Sequence, residues 1–116
     1  MNMKHLLGVI AIIIVAILLY LWLSTPAESG EYDEFAKCLT DIGAAMYGTD
    51  GCGHCQNQKK TFESSFDHIN YVNCDYSRQA CIDAGIQGYP TWRINGNNYP
   101  GEKSLQELSS LSGCRL

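Results

Sequence analysis

Ala44-Ala45-Met46-Tyr47-Gly48-Thr49-Asp50-Gly51-Cys52-Gly53-His54-Cys55-Gln56-Asn57-Gln58-Lys59-Lys60-Thr61-Phe62 runs from a short apolar segment, through a Gly/Asp loop, into a helix-permissive stretch. The order predicts strand, loop and helix, with Cys52 at the helix start. Two cysteines that flank two residues can form a small disulfide ring that opens and closes readily. The first-turn N–H groups of a helix are unpaired and its dipole places partial positive charge there, which favours a thiolate at Cys52. Thiolates are the species that attack disulfides, and cysteines in such motifs ionise well below the free value of about 8.5. Cys55, one helical turn later and facing inward, is then the slower, resolving thiol. His54 can place an imidazolium near the Cys52 sulfur, which stabilises the reduced form and makes the disulfide a stronger oxidant. The motif leans toward donating disulfides.

Outward from the motif, the chain divides simply. Its 116 residues allow one domain of roughly 90 residues with something short in front. Leu6 to Leu23 carries no charge, and as a helix it reaches about 27 Å, close to the hydrocarbon thickness of a bilayer. Apolar on every face, it does not suit a buried core helix. We read residues 1–24 as a membrane anchor, 25–30 as a linker and 31–116 as the folded domain. A cleavable signal peptide is the competing reading, with small residues at Thr25-Pro26-Ala27, although its apolar region usually runs only about 7–15 residues. Lys4 precedes the span and Glu28, Glu31, Asp33 and Glu34 follow it. The positive-inside rule then keeps the N-terminus in the cytoplasm and puts the domain on the extracytoplasmic side; cleavage would export it as well.

All six cysteines fall in the exported part, which suits an oxidising compartment. With Cys52 and Cys55 as one pair, the other four allow three connectivities. The expected pairs are Cys74–Cys81, a local staple, and Cys38–Cys114, a clamp between the first and last helices of the domain. Loop closure alone assigns them about 2.5 and about 4.5 kcal/mol. The net charge of −4 and the lack of a basic stripe argue against nucleic acid.

Along the domain, Phe35, Leu39 and Ile42 at helical spacing predict an amphipathic helix over Glu31–Ile42, ended by Gly43. Ala44–Tyr47 reads as a buried strand, Cys52–Ser65 as the motif helix and Ile69–Asn73 as a second strand. Ser77–Ala84 reads as a short helix, and Asn95-Gly96 between two β-rich runs as a type I′ hairpin turn. Leu105, Leu108 and Leu111 mark a closing helix over Ser104–Leu111. A helix between the first two strands implies a right-handed parallel crossover, and the last two strands form an antiparallel hairpin. The fold class is α/β: a mixed four-stranded sheet flanked by helices, preceded by one transmembrane helix. Trp92, Tyr71, Phe62 and Phe66 are expected in the core or a groove, and His5 and His68 in solvent.

This element order, Cys-Gly-His-Cys at a strand-to-helix junction and the later Tyr89-Pro90-Thr91 resemble the thioredoxin superfamily, with a motif of the protein disulfide isomerase type. Met46-Tyr47-Gly48, Cys52 to Lys60, Gly88-Tyr89-Pro90-Thr91-Trp92, Ile94-Asn95-Gly96 and Ser112-Gly113-Cys114 more closely resemble the thioredoxin-like domain of microbial vitamin K epoxide reductase homologues. The resemblance covers about residues 35–114. It implies a cis Pro90 against the active-site disulfide, with the Tyr89 backbone pairing to an extended substrate segment. It puts Gly51 and Gly53 beside substrate as well, and makes Cys52, His54, Cys55 and Pro90 the catalytic set. Two positions depart from the pattern. Gly51 stands where these families usually have Trp, and Met46 where they often bury an acid that moves the resolving cysteine's proton. Deprotonation of Cys55 must therefore use water, His54 or another group, and reductase turnover should be modest.

The expected activity is that of a membrane-anchored thiol–disulfide oxidoreductase that oxidises cysteine-containing secreted proteins. It needs no cofactor beyond the Cys52–Cys55 disulfide, and a vitamin K epoxide reductase-like or analogous membrane oxidase would recharge it. Isomerase and reductase activities use the same residues. The reading from another class is a zinc- or copper-binding module, since Cys52-x2-Cys55 and Cys74-x6-Cys81 approach a zinc ribbon, which wants two residues in its second pair rather than six. No metal ligand is assigned.

Overall fold

Sheet topology is set by where the crossovers fall. The computed structural model describes residues 1–26 and 29–116. Ala27 of the cleavage reading and Glu28 of the acidic flank lie outside the described residues. Helix α1, Met3–Leu23, has the length and composition of a membrane span or of a signal sequence's apolar helix, and none of its residues is buried.

In the domain, α2 (Asp33–Asp41) leads to β1 (Ala45–Gly48), α3 (Gly53–Phe62), β2 (Tyr71–Asn73), α4 (Arg78–Asp83), the hairpin β3 (Thr91–Ile94) and β4 (Asn97–Pro100), and α5 (Leu105–Ser112). The sheet order is β2-β1-β3-β4. Strand β1 runs parallel to β2 and antiparallel to β3, and β3 is antiparallel to β4. This is the mixed four-stranded α/β arrangement expected, with the motif helix as the parallel crossover. Asn95 and Gly96 form the hairpin turn with φ of 51° and 79°, the left-handed pair that a type I′ turn requires and that Asn and Gly tolerate best.

The motif helix is shorter than its sequence pattern. It stops at Phe62, and Glu63 takes φ 54° before a 3₁₀ segment carries Glu63–His68 to the next strand. That break turns Phe66 back onto Phe62, with ring centroids 6.0 Å apart, while Phe62 also meets Phe35 and Trp92. Tertiary packing of these four aromatics outweighs continuation of the helix by one more turn. His68 is not simply solvated, because its Nε2 lies 3.5 Å from Asp33 Oδ1. A hydrogen bond from Ser65 lowers the Asp33 carboxyl below its ordinary range, with Gly30 N–H and His68 acting in the same direction.

Met46 faces Trp92 across β1 and β3, and both are buried with Phe35, Ala36, Leu39, Phe62, Ile94 and Leu108. Three polar side chains, Gln58, Ser65 and Thr91, are buried with it. Gln58 is buried, yet its Oε1 accepts from Trp92 Nε1 (3.1 Å) and from the Lys103 backbone N–H (2.7 Å), and its Nε2 donates to the Lys103 carbonyl (2.9 Å). A buried amide satisfied in this way costs little and fixes register, here by joining α3, β3 and the segment before α5. Two disulfides, Cys38–Cys114 and Cys74–Cys81, cross-link the domain. The first ties α2 to the chain end beyond α5; the second ties the end of β2 to α4.

Candidate redox active site

Strand β1 ends at Gly48, and the loop Thr49–Gly51 delivers Cys52 to the N-cap of α3. The Cys52 side chain acts as the cap: its Sγ accepts the Cys55 backbone N–H at 3.1 Å. That contact spends one of the helix's otherwise unpaired N–H donors on the sulfur. Cys52 and Cys55 are unbonded thiols, Cys52 half-buried and Cys55 buried. Burial, reinforced by a hydrogen bond with Cys52, pushes the Cys55 thiol up to about 11. The two sulfurs are thus unlike: one open at the helix mouth, one sealed and held as a thiol.

The surroundings of Cys52 are open. Gly51 and Gly53 are exposed, and a Cβ at either position would meet nothing within 4 Å. The Tyr89–Pro90 bond is cis. Tyr89 and Pro90 line a groove of about 590 Å³ with His54, Asn57, Gly101 and Glu102. The structure therefore gathers His54, Tyr89 and Pro90 around one groove at the start of α3, with Pro90 buried and Tyr89 partly exposed.

His54 has a partner that lay beyond the reach of the sequence. Its Nδ1 is 2.7 Å from Glu102 Oε1, and Asn57 Nδ2 donates to the same oxygen at 3.4 Å. The ring is 78% exposed and is held against the groove wall by this contact. Glu102 lies 48 residues away in the sequence, on the segment between β4 and α5, and no local pattern marks it. The signal that points there is indirect: the hairpin at Asn95-Gly96 returns the chain to the motif helix.

Because Cys74 and Cys81 are bonded to each other, they do not complete a four-cysteine metal site with the motif pair. Among the described residues, no group of three or more His, Cys, Asp or Glu side chains is placed to hold a metal ion.

No protein-family model matches the chain. It is 42% identical over 90 residues to the thiol-disulfide oxidoreductase LTO1 of Arabidopsis thaliana, an alignment that covers 70% of this chain and 24% of that protein. It is 32% identical over 103 residues to the thioredoxin domain-containing protein 5 homolog of Drosophila melanogaster, covering 74% of this chain and 25% of that protein. The chain thus spans about a quarter of the length of these curated relatives. Together with the observed sheet order and the dithiol at the mouth of α3, these similarities support a thioredoxin-superfamily domain in the part of this chain that they cover.

Proposed function

We propose that the chain is a membrane-anchored thiol–disulfide oxidoreductase, working on the extracytoplasmic side, that donates disulfides to cysteine-containing secreted proteins. The observation that carries this reading is the unequal sulfur pair: Cys52 half-exposed at the helix N-cap and Cys55 buried one turn behind it. Names of the relatives support it, since one is a thiol-disulfide oxidoreductase and another a thioredoxin domain-containing protein. In the forward step a substrate thiolate attacks Cys52 Sγ of the oxidised ring. The new bond joins substrate sulfur to Cys52, the Cys52–Cys55 bond breaks, and its electron pair goes to Cys55, which then takes a proton. A second substrate thiolate attacks the substrate sulfur, the oxidised product leaves, and Cys52 departs as thiolate. Two electrons have entered the pair.

A membrane oxidase must remove them, and the resemblance of the motifs to those beside vitamin K epoxide reductase homologues supports a partner of that kind or an analogous one. Residues 1–24, as an anchor, with 25–30 as linker, would hold the domain of residues 31–116 near that partner and raise its effective concentration. Pro90 and the Tyr89 backbone form the substrate-side wall, with Gly51 and Gly53 leaving room for main chain to approach Cys52. Replacing Cys55 by Ala removes the resolving thiol. The full chain carrying Cys55→Ala, expressed in membranes, is expected to accumulate mixed disulfides at Cys52, visible on non-reducing gels and released by dithiothreitol. Absence of adducts that depend on Cys52 would overturn the reading.

A further inference from the structure

The buried resolving sulfur lacks the acid that the superfamily pattern places at Met46, which here is an apolar core residue. Something else must accommodate charge on Cys55, because that sulfur receives an electron pair each time the ring opens. Gly48 shows what lies over it. A Cβ built on Gly48 would sit 2.7 Å from Cys55 Sγ and 3.6 Å from Cε2 of Tyr71, so the sulfur and the edge of the Tyr71 ring flank one small gap. Above that ring, 4.0 Å from its centroid, is Lys59 Nζ. Lys59 is four residues after Cys55 on α3, which puts both on the same side of the helix.

One hydrogen bond holds the ammonium there, and a second ties Tyr71 to the same acceptor. Asp50 Oδ1 accepts from Lys59 Nζ at 3.2 Å and from Tyr71 Oη at 3.1 Å, so one carboxylate oxygen clamps both groups. The Lys59 side chain is only 28% exposed, and packing over the aromatic faces of Tyr71 and Phe66 restricts it further. The charged and titratable groups that act on Cys55 and on the neighbouring Tyr71 are few: Cys52 at the N-cap of α3, Lys59 on α3, Tyr71 on β2, Asp50, which accepts from the Tyr71 hydroxyl, and Asp75, which acts on Tyr71 through its charge. Lys59 is the cation among them.

We infer that Lys59, clamped by Asp50 and Tyr71, stabilises the Cys55 thiolate and so does the work otherwise given to a buried acid at the Met46 position. This rests on the disulfide-exchange reading above. In ring opening, the substrate sulfur bonds to Cys52 and the electron pair of the broken bond moves to Cys55; the ammonium offsets that charge until a proton arrives from solvent. In ring closure, the Cys55 thiol gives its proton to water, its sulfur attacks Cys52 of the mixed disulfide, and the substrate leaves as thiolate. Lys59 lowers both barriers through the same charge. Asp50 and Tyr71 are positioning residues, since they act by holding Lys59.

The test uses the reduced full chain in detergent micelles with glutathione disulfide as oxidant. Acid quenching and mass spectrometry separate the rate of adduct formation on Cys52 from the rate of ring closure by Cys55. Lys59→Gln is expected to slow closure at pH 7 by about tenfold and to leave adduct formation within about twofold of the parent. The rise of its closure rate with pH should move to higher pH. Lys59→Arg, which keeps the charge, should restore closure, and Asp50→Asn and Tyr71→Phe should each slow it by less than Lys59→Gln does. Closure in Lys59→Gln at the parental rate, or equally slow closure in Lys59→Arg, would overturn the inference while leaving disulfide exchange intact. If the parent itself forms no adduct at Cys52, the disulfide-exchange reading falls and this inference falls with it. Far-UV circular dichroism separates either result from misfolding, against which Asp50→Asn is the second, milder probe.

Discussion

His54 Nδ1 on α3 and Glu102 Oε1 on the segment before α5 meet at 2.7 Å, closing one side of the groove beside Pro90. The contact joins a motif residue to a residue that the hairpin brings back from the far end of the domain. It is exposed, so its worth to stability is small, and its effect should appear in the redox couple instead. Replacing His54 by Ala should lower the reduction potential of the Cys52–Cys55 pair by about 30 mV, a tenfold change in its equilibrium constant. Glu102→Gln removes a negative charge from the groove and should raise the potential by about 10 mV, with thermal unfolding unchanged within about 0.5 kcal/mol. Equilibration against glutathione buffers measures both. A fall in potential for Glu102→Gln would contradict this assignment.

Gln58 carries the opposite kind of hydrogen bond, buried and structural. Gln58→Leu keeps approximate volume but leaves Trp92 Nε1 and both backbone groups of Lys103 without their partner. Orphaned buried groups cost about 1–3 kcal/mol each, partly relieved where water can enter. We expect a loss of about 2–4 kcal/mol in denaturant unfolding, with the redox couple little changed.

These two residues also show where sequence reading reaches its limit. Periodicity and turn chemistry are local, so Asn95-Gly96, the spacing of Leu105 and Leu108, and Cys52 at a helix start were all readable, and with them the sheet and its crossover. The early end of α3 at Glu63 was not readable, because it follows from Phe66 folding back onto Phe62 rather than from any helix breaker. Gln58 reads as an ordinary surface residue among polar neighbours; only Trp92 arriving from β3 makes it a core residue. Glu102, Asp50 and Tyr71 are likewise silent until the chain is folded, since each takes its meaning from a partner at least nine residues away. The two cysteines announced themselves by spacing, and the groups placed around them by the fold did not.

The raised Cys55 thiol gives a pH dependence whose sign is fixed. Folding holds this group protonated, up to about 11 against an ordinary value of 9.0, so in that window the unfolded chain binds fewer protons. Stability from this group is complete below pH 9 and is lost as pH rises toward 11, amounting to about 2–3 kcal/mol in order of magnitude. Tyr71 is also raised, chiefly by burial, and contributes with the same sign in both redox forms. The reduced protein should therefore lose stability faster than the oxidised one between those limits, since a disulfide does not titrate. Denaturant unfolding of both forms across the range checks this; parallel curves would count against a sealed Cys55.

Gly48 is the position where backbone approaches that sulfur. Gly48→Ala would place a methyl 2.7 Å from Cys55 Sγ, a contact that the buried side chain must move to relieve. Overpacking of this kind costs about 1–3 kcal/mol. Ring closure should slow as well, because the displaced sulfur no longer lines up with Cys52. Unfolding measurements and the kinetics of oxidation by glutathione disulfide read the two effects separately.

The proposed function requires Cys52 and Cys55 to cycle as an oxidising couple rather than serve as a fixed cross-link. Its most direct test is the reduction potential of that pair in the full chain, followed by alkylation and mass spectrometry of Cys52 and Cys55 across a series of glutathione buffers. A reversible two-electron transition between roughly −120 and −200 mV is expected. A pair that remains bonded to below about −300 mV, as structural disulfides do, or that never closes, would contradict it.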